Sequence, residues 1–214
     1  MKKILIVDNH QVVREGVRKI LDEQPGAKLF GEASDAAEAL AMVREHEWDA
    51  VILDLSLSGR SGIDALKELK QIRPHMPILI LTMHSEEQYA RRVFRAGAAG
   101  YVTKDSSMTE LIRAVTTVMK GGRYVSASLA EWLVVDMGRD EDRPPHESLS
   151  DREFEVMRLI ASGKTVCEIA GLLSLSNKTI STYRARILQK MSMRTNAELT
   201  YYVIKNGLLS DSIQ

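Results

Sequence analysis

Asp8, Asn9, Asp54, Thr82 and Lys104 are far apart in the chain, yet each ends or directly follows a short apolar run. Ile4-Leu5-Ile6-Val7 leads into Asp8-Asn9, and Ala50-Val51-Ile52-Leu53 into Asp54. Ile78-Leu79-Ile80-Leu81 leads into Thr82, and Gly100-Tyr101-Val102-Thr103 into Lys104. Such runs, bounded by turn residues, read as buried strands of a parallel sheet. Groups at the carboxyl ends of those strands border the crevice where ligands bind. Two carboxylates, an amide, a hydroxyl and an ammonium gathered there suit a divalent cation and a phosphoryl group. Oxygen ligands suit Mg²⁺, which keeps several waters and shares a phosphate oxygen. A carboxylate can act as nucleophile and become an aspartyl-phosphate. Lysine places a point charge on a phosphate oxygen. For Asp54 taken alone, the competing reading is a carboxylate capping the loop through Ser58, Gly59, Ser61 and Gly62. His10, beside the acids, reads as structural rather than as a ligand.

These residues need a scaffold, and residues 1–125 supply its pattern. Strands are expected at Lys3–Val7, Lys28–Ala33, Ala50–Leu53, Ile78–Thr82 and Gly100–Thr103, with helices near 10–23, 35–46, 62–72, 86–96 and 107–120. Val13, Val17, Ile20 and Leu21 show the helical spacing clearly. Five strand-helix alternations imply a parallel sheet with helices on both faces. The expected fold is α/β: a doubly wound, five-stranded parallel sheet, flavodoxin-like, in the order 2-1-3-4-5.

The remainder reads differently. Residues 126–137 carry Leu129, Leu133 and Val134 at a spacing that suits a short helix, and Gly138 to Pro145 reads as an acidic, proline-stiffened tether. From 148 the pattern is all-helical, with helices near 151–162, 166–173, 177–191 and 196–206. Ser150-x-x-Glu153, Thr165-x-x-Glu168 and Thr195-x-x-Glu198 are capping-box patterns. Gly163 and Gly207 sit where helices end in a left-handed residue. Residues 166–191 have helix-turn-helix spacing. The expected organisation is therefore 1–122, a linker over 123–147, and a smaller all-α domain over 148–214.

The stretch from 175 to 194, which holds the helix near 177–191, shows five basic residues and no acid: Lys178, Arg184, Arg186, Lys190 and Arg194. Ile180, Ile187 and Met191 form the stripe expected to face the core. Lys178, Ser181, Thr182 and Ala185 lie opposite, a polar, small-residue face suited to a major groove with basic phosphate contacts beside it. The competing reading is a solvated helix face.

Charge and length set limits on these readings. The 214 residues fit one large domain or two small ones, and the formal charge is zero. That zero hides an acidic middle, net −4 over 126–147, and a basic tail, net +3 over 148–214. A basic tail points to an anionic partner. The single cysteine, Cys167, excludes an internal disulfide framework and suits a reducing cytoplasm; an inert small side chain is the preferred reading of it over a thiol sensor. The apolar run at the start is too short for a signal peptide or a membrane span, so a cytoplasmic protein is expected.

The quoted residues carry a family resemblance. Ile6-Val7-Asp8-Asn9-His10, Asp54 to Gly62, Leu81-Thr82-Met83-His84 and Ala96 to Asp105 together resemble the receiver domain of two-component response regulators. Leu149-Ser150 to Val156, Gly163 to Ala170 and Leu175 to Ile180 resemble the LuxR-type DNA-binding domain. The whole chain thus resembles the NarL/FixJ family of response regulators. The resemblance implies that Asp54 accepts a phosphoryl group from a sensor histidine kinase. It implies that Asp8, the residue at 9, Asp54 and the Ser56 carbonyl hold Mg²⁺. Lys104 then pairs with the phosphoryl group, Thr82 turns to hydrogen-bond it, and Tyr101 follows as the switch aromatic. His84 and Ser56 occupy positions that tune dephosphorylation in the family, with solvent-exposed filler as the alternative for His84. In the tail it points to double-stranded DNA, with Lys178, Thr179, Ser181, Thr182, Tyr183, Arg184, Ala185, Arg186 and Lys190 as the contacting set, and to a homodimer when active.

Two positions depart from the family pattern. Ser58 stands where proline is usual, a minor loosening of a turn. Asn9 stands where a second acid is usual, which removes a charge from the metal site and implies weak Mg²⁺ binding. The expected function is a phosphorylation-controlled transcription factor, an enzyme only in its own phosphoryl transfer and hydrolysis. Asn9 keeps open a pseudo-receiver regulated without phosphorylation. A small aspartyl-phosphate phosphatase would need a second acid two residues beyond Asp54, where Ser56 stands.

Overall fold

The computed structural model describes residues 2–26, 28–57, 61–131 and 144–209. The chain divides into two compact units, 1–132 and 133–214. In the first, the apolar runs are strands β1 (Lys2–Val7), β2 (Lys28–Ala33), β3 (Ala50–Leu53), β4 (Ile78–Thr82) and β5 (Gly100–Thr103). All neighbours are parallel, in the order β2-β1-β3-β4-β5. Strands β3 and β4 are buried along their whole length, as continuous apolar runs between two helical layers require.

The helices between them are α1 (Gln11–Asp22), α2 (Ala36–Glu45), α3 (Gly62–Ile72), α4 (Glu86–Arg95) and α5 (Met108–Met119). The apolar sides of α1 and α5 close over one face of the sheet: Val17, Leu21, Leu111, Ala114, Val115 and Val118 pack with Ile4, Ile6, Ile52, Leu79, Leu81 and Val102. Alternation along the strands turns Leu5 and Val7 to the opposite face. Leu40 and Val43 of α2 and Ile63, Leu66 and Leu69 of α3 are buried too. Each buried aliphatic side chain of this kind contributes about 1.5–3 kcal/mol. Asp35 caps α2 by accepting from the Ala37 and Glu38 amides at 2.8 and 2.9 Å.

The stretch expected to begin a linker at 123 is instead part of the first unit. The Tyr124 amide donates to the Ala99 carbonyl at 2.9 Å, its hydroxyl donates to Glu110 Oε1 at 3.0 Å, and Leu129 is buried in the helical segment 127–131. Two buried apolar side chains on one short segment are enough to dock it. The expected tether residues 138–143, together with Leu133 and Val134, lie outside the described residues, as do Ser58, Gly59 and Arg60.

The second unit holds a 3-10 turn (Pro145–Ser148) and helices α6 (Asp151–Ala161), α7 (Val166–Leu173), α8 (Asn177–Lys190) and α9 (Asn196–Lys205). Phe154, Met157, Ile169, Ile180, Ile187, Leu199 and Val203 form its core. Ser150–Glu153 and Thr165–Glu168 are complete capping boxes. Thr195 is only half of one: it accepts from the Glu198 amide, but the Glu198 carboxylate accepts from the Arg194 amide instead. Ser174, in the left-handed region at φ 52°, turns α7 into α8.

At Gly62 a side chain would collide with backbone. A Cβ there would lie 2.4 Å from Leu55 Cα and 2.8 Å from the Asp54 carbonyl oxygen. Those are backbone atoms of the segment just after β3, and they cannot swing aside as a side-chain tip can. Gly62→Ala should therefore destabilise the protein by about 1–3 kcal/mol in urea denaturation. A neutral substitution would show that the loop after β3 is loosely held.

Candidate functional site

The sheet's hydrogen-bond ladder continues one residue past the strand ends, which fixes the backbone of the site. Asp8 N donates to the Ala33 carbonyl at 3.1 Å, Asp54 N to that of Val7 at 2.9 Å, and Lys104 N to that of Thr82 at 2.8 Å. Asp8, Asp54 and Lys104 thus converge at the carboxyl edge of β1, β3 and β5. Asp8 and Asp54 are each 2 % exposed.

Burying two carboxylates side by side is costly unless a counter-charge meets both. The Lys104 ammonium does so, 2.6 Å from Asp8 Oδ2 and 2.7 Å from Asp54 Oδ2. Burial alone would pull the lysine down, but the charges and hydrogen bonds of Asp54 and Asp8 outweigh it and hold the ammonium above its ordinary range. Asp54 Oδ1 also accepts from the Ser56 amide at 3.1 Å. Asp8 Oδ1 accepts from the His10 amide at 2.8 Å and lies 3.2 Å from His10 Nδ1.

Asp8, His10 and Asp54 place ligand atoms within 4.8 Å of one another. Two hard carboxylate oxygens fit Mg²⁺, and the ring nitrogen of His10 is the poorer donor for it. Asn9 is exposed beside them. The donor set is therefore compatible with a magnesium ion, with one charge fewer than three acids would offer.

Around this cluster lie the other expected residues. Thr82 is fully buried, and its hydroxyl has no hydrogen-bond partner among the described residues. An orphaned hydroxyl costs about 1–3 kcal/mol, a cost that a ligand oxygen can relieve. Tyr101 is also fully buried, and its hydroxyl donates to the His84 carbonyl at 2.9 Å. His84 stacks on Tyr89 with ring centroids 4.6 Å apart, and its Nε2 lies 3.2 Å from Ser56 Oγ. His84 is thus held by named contacts and is not solvent-exposed filler. The Ser85 hydroxyl, also buried without a partner, was not singled out by the sequence; no spacing pattern marks such a position.

In the tail, Ile180 and Ile187 of α8 are buried and Lys178, Ser181, Thr182, Ala185 and Arg186 are exposed, with Thr179 and Tyr183 half-buried beside them. Two of the basic residues expected to contact DNA have side-chain partners within the tail. Arg184 shares the core stripe with Ile180 and Ile187, and its Nε donates to Asn196 Oδ1 at 2.7 Å. Lys190 Nζ lies 2.6 Å from Glu153 Oε2, an almost buried carboxylate. The Ser150-x-x-Glu153 motif was legible as a cap, but its partner 37 residues on was not.

Residues 4–116 match the response regulator receiver domain, and residues 147–203 match the luxR family of bacterial regulatory proteins. Response regulator UvrY of Escherichia coli (strain K12) is 35% identical over 97% of this chain and 96% of its own. Response regulator GacA of Pseudomonas aeruginosa is 33% identical over 98% of each chain. The structure of RcsB from Salmonella enterica serovar Typhimurium, bound to a promoter in the presence of the phosphomimetic BeF3⁻, is similar over 94% of this chain and 97% of that one. That pair shares 28% identity with a TM-score of 0.60.

Lys104 carries a clear energetic expectation. Lys104→Met would leave two buried carboxylates without their shared cation, at a cost of about 3–5 kcal/mol in urea denaturation at pH 7. Adding Asp54→Asn should recover much of that loss, because one charge of the repelling pair is gone. A Lys104→Met protein as stable as the wild type would contradict this.

Proposed function

The chain belongs to the NarL/FixJ family of response regulators, a receiver domain followed by a LuxR-type DNA-binding domain, and on that premise we propose that Asp54 is its phosphoacceptor and the switch for DNA binding. The receiver takes in the first compact unit, with the docked segment 126–131, and the DNA-binding domain the second. The observation that carries the reading is the Lys104 ammonium bridging Asp54 and Asp8 beside the orphaned Thr82 hydroxyl.

A phosphohistidine of a sensor kinase supplies the phosphoryl group. An Asp54 carboxylate oxygen attacks phosphorus, the O–P bond forms, and the N–P bond to the kinase histidine breaks. Lys104 pairs with a phosphoryl oxygen in place of the bare carboxylate, and the Thr82 hydroxyl donates to another. Tyr101, already buried against the His84 carbonyl, holds the loop that Thr82 begins. Asp8, Asn9, Asp54 and the Ser56 carbonyl are the residues that would hold Mg²⁺, which offsets the negative charge of the transferring group. Because Asn9 contributes a neutral oxygen, that ion is bound weakly. Hydrolysis of the aspartyl-phosphate, also at Asp54, resets the switch.

In the tail, Lys178, Ser181, Thr182, Ala185 and Arg186 form the exposed face of α8 that enters the major groove of double-stranded DNA. Thr179 and Tyr183 flank it. The Lys190 charge is met by Glu153 and adds no free phosphate contact, whereas Arg184 is oriented by the neutral Asn196 Oδ1 and keeps its charge for a phosphate. Phosphorylation favours a homodimer that matches two half-sites about one helical turn apart.

Phosphoacceptance is tested with a small phosphodonor and Mg²⁺. The wild type should take acid-labile phosphate that Asp54→Ala does not, and Asn9→Asp should bind Mg²⁺ more tightly and label faster. A wild type that stays unlabelled at every Mg²⁺ concentration would favour a receiver regulated without phosphorylation. For DNA, Lys178→Ala and Arg186→Ala should each lower the salt slope by about 0.9. Changes at Ser181, Thr182 or Ala185 should alter base preference by about 1–3 kcal/mol per contact. Unaltered preference in all three variants would place another face of α8 in the groove.

A further inference from the structure

The loop after β4 makes an attachment that the switch chemistry does not require. Glu86 is the first residue of α4, four positions after Thr82. Its Oε2 accepts from Ser126 Oγ at 2.5 Å and from Ser128 Oγ at 3.3 Å. Ser126 Oγ also accepts from the Leu129 amide at 3.0 Å, so the same serine starts the helical segment 127–131. This segment is the last part of the first unit before the residues that lead to the DNA-binding tail.

We propose that the Glu86 carboxylate is a latch that holds segment 126–131 to the switch loop, and that phosphorylation of Asp54 opens it. The inference rests on the phosphoacceptor role given to Asp54 above.

The coupling follows from short, stiff connections. Thr82 has an unmet hydroxyl and lies on the strand adjacent to the one that ends at Asp54. The Tyr101 hydroxyl is 2.9 Å from the His84 carbonyl and 3.4 Å from that of Ser85, which ties the last two residues of the loop to one side chain. A phosphoryl oxygen that draws Thr82 toward Asp54 therefore pulls on 82–86 as one piece. Hydrogen bonds from serine to a carboxylate weaken steeply within an ångström of lengthening. A shift of Glu86 by about 1–1.5 Å is thus enough to exchange them for water. Of the described anchors, Tyr124 and Leu129 would then remain, and a locally weaker region opens more often. Energetic linkage runs both ways, so loss of the latch should also make the active arrangement easier to reach.

The test uses the full chain and amide hydrogen exchange of residues 124–131, with and without a small phosphodonor, with Asp54 labelling measured in the same samples. In the wild type, exchange in this segment should rise about tenfold on labelling. In Glu86→Gln it should be fast before labelling and change little afterwards. Ser126→Ala should behave in the same way, which guards against a helix-terminus effect peculiar to position 86. Equal exchange in the wild type and both variants without phosphodonor would overturn the latch, as would full labelling of Asp54 with no change in the wild type. An unlabelled Asp54 would overturn both the latch's trigger and the phosphoacceptor reading beneath it, a result distinct from labelling without release.

Discussion

Two carboxylates side by side in a closed crevice are an unfavourable arrangement, and the single ammonium of Lys104 makes it tenable. Its Nζ is within 2.7 Å of an oxygen of each acid, and the side chain is 10 % exposed. The sheet exists, in functional terms, to bring those three groups to the ends of three strands. Backbone hydrogen bonds at Asp8, Asp54 and Lys104 leave them little freedom to separate. The result is a site under electrostatic load. It is satisfied at rest by lysine and open to any ligand that brings its own positive charge or redistributes the negative one.

That load explains why neighbouring groups are poised without being fully satisfied. Among the described residues, the Thr82 hydroxyl at the end of β4 and the Ser85 hydroxyl in the loop from β4 to α4 are buried without partners. Tyr101 lies inside and pins the same loop by its carbonyls. Buried polar groups left unmatched are rare, and two so close in the chain mark that loop as the element with a second arrangement to reach. The tail follows the opposite logic. Two of its buried charged groups are matched: Glu153 accepts from Lys190 and from the Ser150 amide, and the Arg158 Nε donates to the Leu208 carbonyl at 2.8 Å. Such a domain presents one rigid face, which base readout requires.

Much of this was legible in the sequence, for reasons that are local. Strand and helix limits followed from periodicity, and α3 and α7 begin and end where spacing placed them. Asp8, Asp54, Thr82 and Lys104 were legible because strand ends are where a parallel sheet puts its chemistry. What the sequence could not give was pairing over distance. Nothing near Lys190 announces Glu153, and nothing near Arg184 announces Asn196, so both basic side chains read as free for DNA. The segment 123–131 read as linker because its anchors, Tyr124 and Leu129, are only two apolar residues among polar ones. The Thr195 box read as complete because Glu198 stands at the right spacing; only the structure shows its carboxylate on Arg194 instead.

On the proposed reading, charge chemistry at Asp54 sets the affinity of the tail for DNA. Its most direct measurement is the binding of the full chain to a sequence selected from random DNA, with and without beryllofluoride and Mg²⁺. The account predicts that the phosphoryl mimic tightens binding by about 5–150-fold, the usual range of coupling between linked sites, and that Asp54→Ala abolishes the change. Equal affinity with Asp54 fully occupied by the mimic would contradict it.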